Sequence, residues 1–125
     1  MILDTGALSA LVAGDRALEP ILGGSTRHHL PAIVLGEYRF GLIRSKFRTS
    51  LGTLLEEIEA HSEVLVVDSA TARAYAALRD RLQSRGRPIP ENDIWIAALA
   101  VQHHLPVVSC DRHFDSVEGL KRVEW

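Results

Sequence analysis

Residues 85–125 read RGRPIPENDIWIAALAVQHHLPVVSCDRHFDSVEGLKRVEW, and this stretch indicates the fold class. A proline-rich turn at residues 88–90 precedes Asn92 and Asp93, and either side chain can open the helix that we expect over residues 94–104. Apolar side chains surround this helix on nearly every side, which is typical of a helix buried between other elements. The sequence therefore predicts a core with protein on more than one side of this helix.

A strand follows the buried helix. Pro106 ends the helix, and residues 107–109 then form a short apolar strand that leads to Asp111. Residues 120–125 have the pattern of a closing strand. The C-terminal third thus predicts a helix and two strands, with an acid just past the first strand.

The start of the chain shows the same change from strand to helix. Ile2 and Leu3 form a short apolar strand that runs into Asp4, and residues 5–13 form a helix that Gly14 ends. An acid therefore follows the first strand as well.

The middle of the chain supplies further strands and helices. Residues 29–33 can form a strand, which Pro31 limits to an edge or an end, before a helix through Phe40, Ile43 and Phe47. Ser50 can cap the next helix, and Asp68, after a strand at residues 64–67, can cap the long helix that Gly86 ends. The side chains that we expect to face inward are Leu51, Leu54, Leu55 and Ile58 in the helix after Ser50, and Tyr75, Leu78 and Leu82 in the long helix.

This alternation predicts the architecture. Strands that alternate with helices indicate a parallel sheet covered on both faces, so we expect a three-layer α/β/α sandwich around a short, mainly parallel sheet. The length of 125 residues suits one domain, and the sequence contains no repeat, low-complexity tract or linker that would divide it. We therefore predict a single domain over residues 1–125.

Composition indicates the cellular compartment in which we expect the protein. Apolar residues make up 46% of the chain but occur in short runs, so we expect no membrane span. The N-terminus does not resemble a secretion signal, and the single cysteine, Cys110, excludes an internal disulfide. We expect a cytoplasmic protein in which Cys110 is a buried structural thiol.

The net charge of −2 hides two basic blocks. Residues 38–50 carry Arg39, Arg44, Lys46 and Arg48 without an acid, and residues 69–88 carry five arginines against Asp80 alone. These blocks are either solvated helix faces or surfaces that steer a phosphate backbone toward a site.

The predicted sheet would bring four acids to one rim. Right-handed crossovers place the carboxyl ends of parallel strands and the starts of the following helices at the same edge. Asp4 and Asp111 follow strands, while Glu37 and Asp93 lie in or near the first turns of helices. Taken singly, each acid can simply cap a helix, complement a helix dipole or form a turn.

Carboxylates this close together repel each other, so either some of them are protonated or a cation lies between them. Two carboxylates about 4 Å apart repel by about 4 kcal/mol at an effective dielectric constant of 20. A set of oxygen ligands without cysteine or paired histidine suits Mg²⁺ or Mn²⁺. An ion of this kind can activate a water molecule, so the pattern favours hydrolysis of a phosphodiester.

Three motifs resemble one family over almost the whole chain. ILDTGALSALV with Asp4, VLGEYRFGLIRS with Glu37, and residues 85–125 with Asp93 and Asp111 are similar to the acidic motifs of PIN domains, most of all to the VapC toxins of bacterial toxin–antitoxin pairs. The resemblance implies a divalent-metal endoribonuclease that inhibits translation, a homodimer, and a VapB-type antitoxin partner that forms a hetero-oligomer with it. By the same resemblance Asp4, Asp93 and Asp111 are metal ligands, and Glu37 is a ligand acting directly or through water.

The sequence does not decide the roles of several residues near these motifs. Gly6 replaces a polar residue common in relatives, and Ser109 keeps the hydroxyl of a frequent threonine. Glu91 adds a carboxylate that can attract metal or raise the pKa of a neighbour. Asp115 can reach the metal or cap a turn, and His113 can contact RNA, transfer a proton, or simply be packed or solvated. The adjacent pairs His28-His29 and His103-His104 are expected to be surface imidazoles, and Trp95 is expected in the core.

The sequence argues against one other function and leaves two open. A phosphatase that uses an aspartate after its first strand needs a second aspartate two residues later, where Gly6 stands. A catalytically silent PIN fold that binds RNA or protein, and a DNA-directed nuclease with the same site, stay open as alternatives.

Overall fold

Strands and helices alternate along the computed structural model, which describes residues 1–25 and 27–125. In this part of the chain the strands are β1 (Ile2–Leu3), β2 (His29–Pro31), β3 (Glu63–Leu65), β4 (Val107–Val108) and β5 (Arg122–Val123). The helices are α1 (Thr5–Val12), α2 (Glu19–Leu22), α3 (Ala32–Leu42), α4 (Arg48–Ala60), α5 (Ser69–Ser84) and α6 (Glu91–His103). Short 3-10 turns cover Arg16–Leu18 and Arg112–Ser116.

The strands form one sheet in the order β3-β2-β1-β4-β5. Every described pairing is parallel, including Ile2 with His29 and with Val107, and Val108 with Val123. The central strand β1 is fully buried, as expected for a sheet with helices on both faces. The predicted three-layer α/β/α sandwich is confirmed, with a sheet that is wholly rather than mainly parallel.

Helix α6 is the buried helix that the sequence predicts. Ile94 and residues 96–100 are buried in the core. The helix begins at Glu91, three residues before the predicted start, because the extended backbone that precedes it lies at Pro90, so neither Asn92 nor Asp93 is its cap. It ends when His104 takes a left-handed backbone conformation, so the chain leaves the helix before it reaches Pro106.

The prediction of one helix through Phe40, Ile43 and Phe47 is wrong. Helix α3 ends at Leu42, the chain turns, and α4 begins at Arg48. The three side chains are 79%, 67% and 62% exposed, because nothing in the described chain covers them. We call these three residues the hairpin patch.

Other boundaries differ in detail. Ser50 does not cap α4 but lies within its first turn, where its hydroxyl donates to the Phe47 carbonyl at 3.2 Å. Leu55 is buried, whereas Leu54 is 43% exposed, so the apolar stripe of α4 is narrower than predicted. Strand β3 stops at Leu65, and the two valines that follow it are exposed. The end position predicted for Pro31 is confirmed, because it closes β2, an internal strand.

The predicted cap at Asp68 is confirmed. Its carboxylate accepts the backbone N–H of Thr71 at 3.0 Å, and the Thr71 hydroxyl accepts the Asp68 N–H at 3.1 Å. This reciprocal pair satisfies backbone groups at the start of α5.

Three side-chain predictions need correction. Cys110 is exposed rather than buried, because it lies past the end of β4 on the rim of the sheet. His28 is buried rather than on the surface. Trp95 is only partly buried, and its ring stacks on Tyr75 with the centroids 3.8 Å apart.

Among residues 1–25 and 27–125, no helix combines the length and the apolar character needed to cross a bilayer.

Candidate active site

The carboxyl ends of the central strands form a rim where four acidic side chains meet. Asp4 follows β1 and Asp111 follows β4, while Glu37 lies in α3 and Asp93 in the first turn of α6. All four line one depression of about 310 Å³, so the structure brings together every acid that the sequence placed on this rim. The rest of its lining is Thr5, Gly6, Cys110 and Trp125.

Asp4 is both a helix cap and a member of the site. Its Oδ1 accepts the backbone N–H of Ala7 at 2.7 Å, which begins α1, and its Oδ2 accepts the hydroxyl of Ser109. The side chain is 8% exposed. Burial raises the pKa of the Asp4 carboxyl, and the charge of Asp111 raises it further, while the hydrogen bond from Ser109 opposes the rise. One side chain therefore both caps α1 and lines the depression.

Two neutral donors hold Glu37. The Thr5 hydroxyl donates to Oε2 at 2.6 Å, and the side-chain amide of Asn92 donates to Oε1. Sequence reasoning considered Asn92 only as a helix cap. Its position beside Asp93 in the first turn of α6 was the available signal, but its approach to α3 depends on the tertiary fold.

His113 lies between two of the acids. Its Nδ1 is 2.9 Å from Oδ2 of Asp111 and 3.3 Å from Oδ2 of Asp93. Burial raises the pKa of Asp93, and the charges of Asp111 and Glu37 add to the rise, whereas His113 opposes it. One ligand atom from each of Asp93, Asp111 and His113 lies within 4.8 Å of the other two, close enough to share one metal ion.

Two further acids near the motifs face away from the site. Glu91 accepts a hydrogen bond from the Tyr75 hydroxyl and lies 3.1 Å from Arg79, and it is not among the residues that line the depression. Asp115 accepts hydrogen bonds of 2.8 and 3.1 Å from Arg122.

Gly6 lies against the first acid. A Cβ atom at this position would be 3.4 Å from Oδ1 of Asp4, in ordinary contact with the carboxylate. A side chain at this position would therefore lie directly against the Asp4 carboxylate.

The chemistry of these donors suits a hard divalent cation. The donors are mainly carboxylate oxygens from separate elements, and the mutual charges of Asp93, Asp111 and Glu37 favour protonation unless a positive charge is added. A cation among the oxygens relieves that repulsion, and oxygen-rich sites are typical of Mg²⁺ and Mn²⁺. The site can therefore hold a metal ion.

Comparison with known protein families matches residues 1–120 to the PIN domain. The chain belongs to the PIN domain family. This confirms the family that the motifs around Asp4, Glu37, Asp93 and Asp111 indicate.

Individual relatives agree with this placement. The PIN domain is 34% identical to Ribonuclease VapC5 of Mycobacterium tuberculosis, over 98% of this chain and 91% of that protein. It superposes on the structure of VapBC-5 from the same organism with a TM-score of 0.78 and 30% identity, covering 99% of this chain and 97% of that one. DNA-bound VapBC from Salmonella typhimurium shares the fold, with a TM-score of 0.89, 24% identity, and coverage of 99% and 96%.

Proposed function

We propose that this PIN domain is a divalent-metal-dependent endoribonuclease and the toxin of a VapBC-type toxin–antitoxin module, acting in the cytoplasm to inhibit translation. The observation that carries the proposal is the meeting of Asp4, Glu37, Asp93 and Asp111 in one depression. The likeness to a relative named Ribonuclease VapC5 supports RNA as the substrate.

Each acid has a role that its contacts support. Asp93 and Asp111 bind Mg²⁺ or Mn²⁺, and Asp4 contributes the lone pairs that Ala7 and Ser109 leave free. When bound, the metal acidifies a water and stabilises negative charge on the phosphate. The chain's own contribution is to hold these oxygens in place before the substrate arrives.

Glu37 acts as an oriented acceptor. A carboxylate offers about four acceptor positions, and Thr5 and Asn92 occupy one on each oxygen. The remaining positions can accept a hydrogen bond from the attacking water or contact the metal. Because both donors are neutral, they orient the Glu37 carboxylate without forming an ion pair with it.

The basic block around α3 would steer RNA toward the rim. Arg39 is committed to a 2.6 Å ion pair with Glu59, so the steering role that we expect for Arg39, Arg44 and Arg48 rests mainly on the latter two. Sequence-independent contacts of this kind depend strongly on salt.

The partner would be a VapB-type antitoxin. The hairpin patch begins at Phe40, one helical turn after Glu37, so an apolar segment seated on it lies beside the depression. VapBC-5, which shares 30% identity with this chain, is described as a member of a family of toxin–antitoxin systems. We further propose that the toxin forms a homodimer, within which residues 1–125 act as one domain.

The test is cleavage of total RNA by the purified protein. We expect cleavage with Mg²⁺ or Mn²⁺, none in EDTA, and a loss for Asp93→Asn larger than the roughly 10- to 100-fold typical of outer-shell positions. Glu91→Gln is the matched control, because it makes the same kind of change two residues earlier in α6 but faces Arg79. Cleavage that survives both chelation and Asp93→Asn would exclude the proposal.

The same assay separates the alternatives. Cleavage of single-stranded DNA in preference to RNA would favour the DNA-directed nuclease. RNA binding without any cleavage in either metal would favour the catalytically silent module.

A further inference from the structure

We propose that His113 is a direct ligand of the divalent cation and gives this site a preference for Mn²⁺ over Mg²⁺. The inference rests on the proposed function of the same depression and adds a nitrogen to a set of ligands that is otherwise composed of oxygens.

The distances fit shared coordination. Two ligands about 2.1 Å from an octahedral ion and at right angles to each other lie about 3.0 Å apart. The separations from Nδ1 of His113 are 2.9 Å to Asp111 and 3.3 Å to Asp93. One ion can therefore contact all three atoms with little movement of the side chains.

The backbone holds His113 in this position. Its N–H donates to Oδ1 of Asp111 at 2.9 Å, so the carboxylate that the imidazole faces also fixes the start of the turn Arg112–Ser116. The next residue, Phe114, is 1% exposed and anchors the turn in the core. The backbone that carries the imidazole is therefore tied both to the Asp111 carboxylate and to the core.

The ligand type determines which ion benefits. Mg²⁺ prefers oxygen ligands and keeps several waters, whereas imidazole nitrogen is a better ligand for first-row transition ions. A neutral His113 with its Nδ1 lone pair directed at the ion should therefore strengthen Mn²⁺ binding more than Mg²⁺ binding.

A different role for the same geometry predicts the opposite result. If His113 only supplied a positive charge in place of the metal, it would compete with the ion. Removing it would then tighten metal binding, so the direction of the change in affinity distinguishes the two roles.

The first test measures metal affinity rather than activity. Mn²⁺ binding is followed by the EPR signal of the free ion, and Mg²⁺ binding by competition, for the wild type, His113→Ala and the control His103→Gln at the far end of α6. We expect His113→Ala to weaken Mn²⁺ binding by about 10-fold or more and Mg²⁺ binding much less. Equal weakening of both ions, or tighter binding of Mn²⁺, would overturn the proposal.

The second test detects the nitrogen itself. Pulsed EPR of the Mn²⁺-loaded protein should show ¹⁴N coupling in the wild type and in His103→Gln, and none in His113→Ala. Bound Mn²⁺ with RNA cleavage but without ¹⁴N coupling overturns the His113 assignment and leaves the proposed function intact. A wild type that binds Mg²⁺ but no Mn²⁺ overturns the His113 inference alone, and one that binds neither ion overturns both.

Discussion

At the scale of single residues, neutral side chains organise the acids. The Ser109 hydroxyl donates to the Asp4 carboxylate and accepts the backbone N–H of Asp111 at 2.9 Å, so one buried oxygen links the first acid to the backbone of the last. Thr5 does the same work for Glu37 at 2.6 Å. Outer contacts of this kind fix the direction of the ligands that hold a metal.

Removing the Thr5 hydroxyl tests this arrangement. Thr5→Val keeps the shape of the side chain but leaves Oε2 of Glu37 without its donor, so we expect RNA cleavage to fall by roughly 10- to 100-fold. Thr5→Ser keeps the hydroxyl and should stay close to the wild type. Single-turnover rates and melting curves of both variants check this, and a fully active Thr5→Val would show that the contact is unimportant.

His28 should make the fold sensitive to mild acid. Burial lowers its pKa, and the charges of the N-terminus and of His29 lower it further, whereas the unfolded chain binds the proton near its ordinary pKa of about 6.5. The unfolded state therefore binds more protons below that pH, and the stability that neutral His28 contributes is lost as the pH falls.

Urea denaturation between pH 7.5 and 5 measures this effect. We expect the free energy of unfolding to fall with pH in the wild type and to fall less steeply in His28→Gln. His103→Gln removes an exposed histidine and should keep the wild-type slope. Equal slopes for all three proteins would show that His28 does not carry the pH dependence.

At the scale of elements, Thr71 joins two helices. It is fully buried, its hydroxyl accepts the Asp68 N–H at 3.1 Å, and it contacts the side chain of Gln102 in α6. Gln102 in turn donates to Asp68 at 3.1 Å. The start of α5 is therefore tied to the end of α6, away from the acidic depression.

Thr71→Val should loosen this junction. The change leaves buried polar groups without partners, which typically costs about 1–3 kcal/mol of the free energy of unfolding. Thr71→Ser should lose less, and RNA cleavage at low temperature should be unchanged in both variants. Urea denaturation provides the measurement, and a Thr71→Val variant as stable as the wild type would contradict the prediction.

Local signals predicted much of the fold at this scale. The apolar α6 and the Asp68 cap could be found because the deciding residues are near neighbours in sequence. The break between α3 and α4 could not, because the spacing of Phe40, Ile43 and Phe47 fits a helix whether or not another element covers it. The strands of two or three residues were located from their apolar character, but apart from β1 their exact ends were not.

Part of the site could likewise be predicted from the sequence and part could not. The four acids could be placed on one rim because the order of strands and helices fixes where each begins and ends. The approach of Asn92 to Glu37, and of His113 to Asp93, could not be predicted, since each depends on how two distant segments pack. Sequence also could not show that Glu91 faces Arg79.

At the scale of the whole molecule, the acid cluster should lower the stability of the metal-free protein. A bound metal ion should reverse this effect. Burial raises the pKa of Asp93, so its charged form destabilises the fold above its ordinary pKa, and more so as the pH rises. We expect Asp93→Asn to melt above the wild type in EDTA, and the order to reverse in Mn²⁺, because a bound ion stabilises the folded state.

Melting curves in EDTA and in Mn²⁺ check this reversal in the order of the melting temperatures. Glu91→Gln is again the control, and it should gain stability from Mn²⁺ as the wild type does. A wild type that is more stable than Asp93→Asn in EDTA as well would contradict the prediction.

The hairpin patch should matter for assembly and not for catalysis. Phe40→Asp places a charge on a side chain that is 79% exposed, so we expect normal folding and RNA cleavage but much weaker inhibition by the antitoxin. Inhibition assays with a VapB-type antitoxin provide the measurement. Unchanged inhibition together with a change from dimer to monomer would assign the patch to a second copy of the chain.

The most direct test of the central claim is anomalous diffraction from crystals soaked in Mn²⁺. We predict a manganese peak within about 2.2 Å of carboxylate oxygens of Asp93 and Asp111, on the side that faces Asp4, and no peak there in Asp93→Asn crystals. A peak elsewhere on the molecule, or its absence from a protein that cleaves RNA in the same buffer, would contradict the claim that these four acids form one metal site.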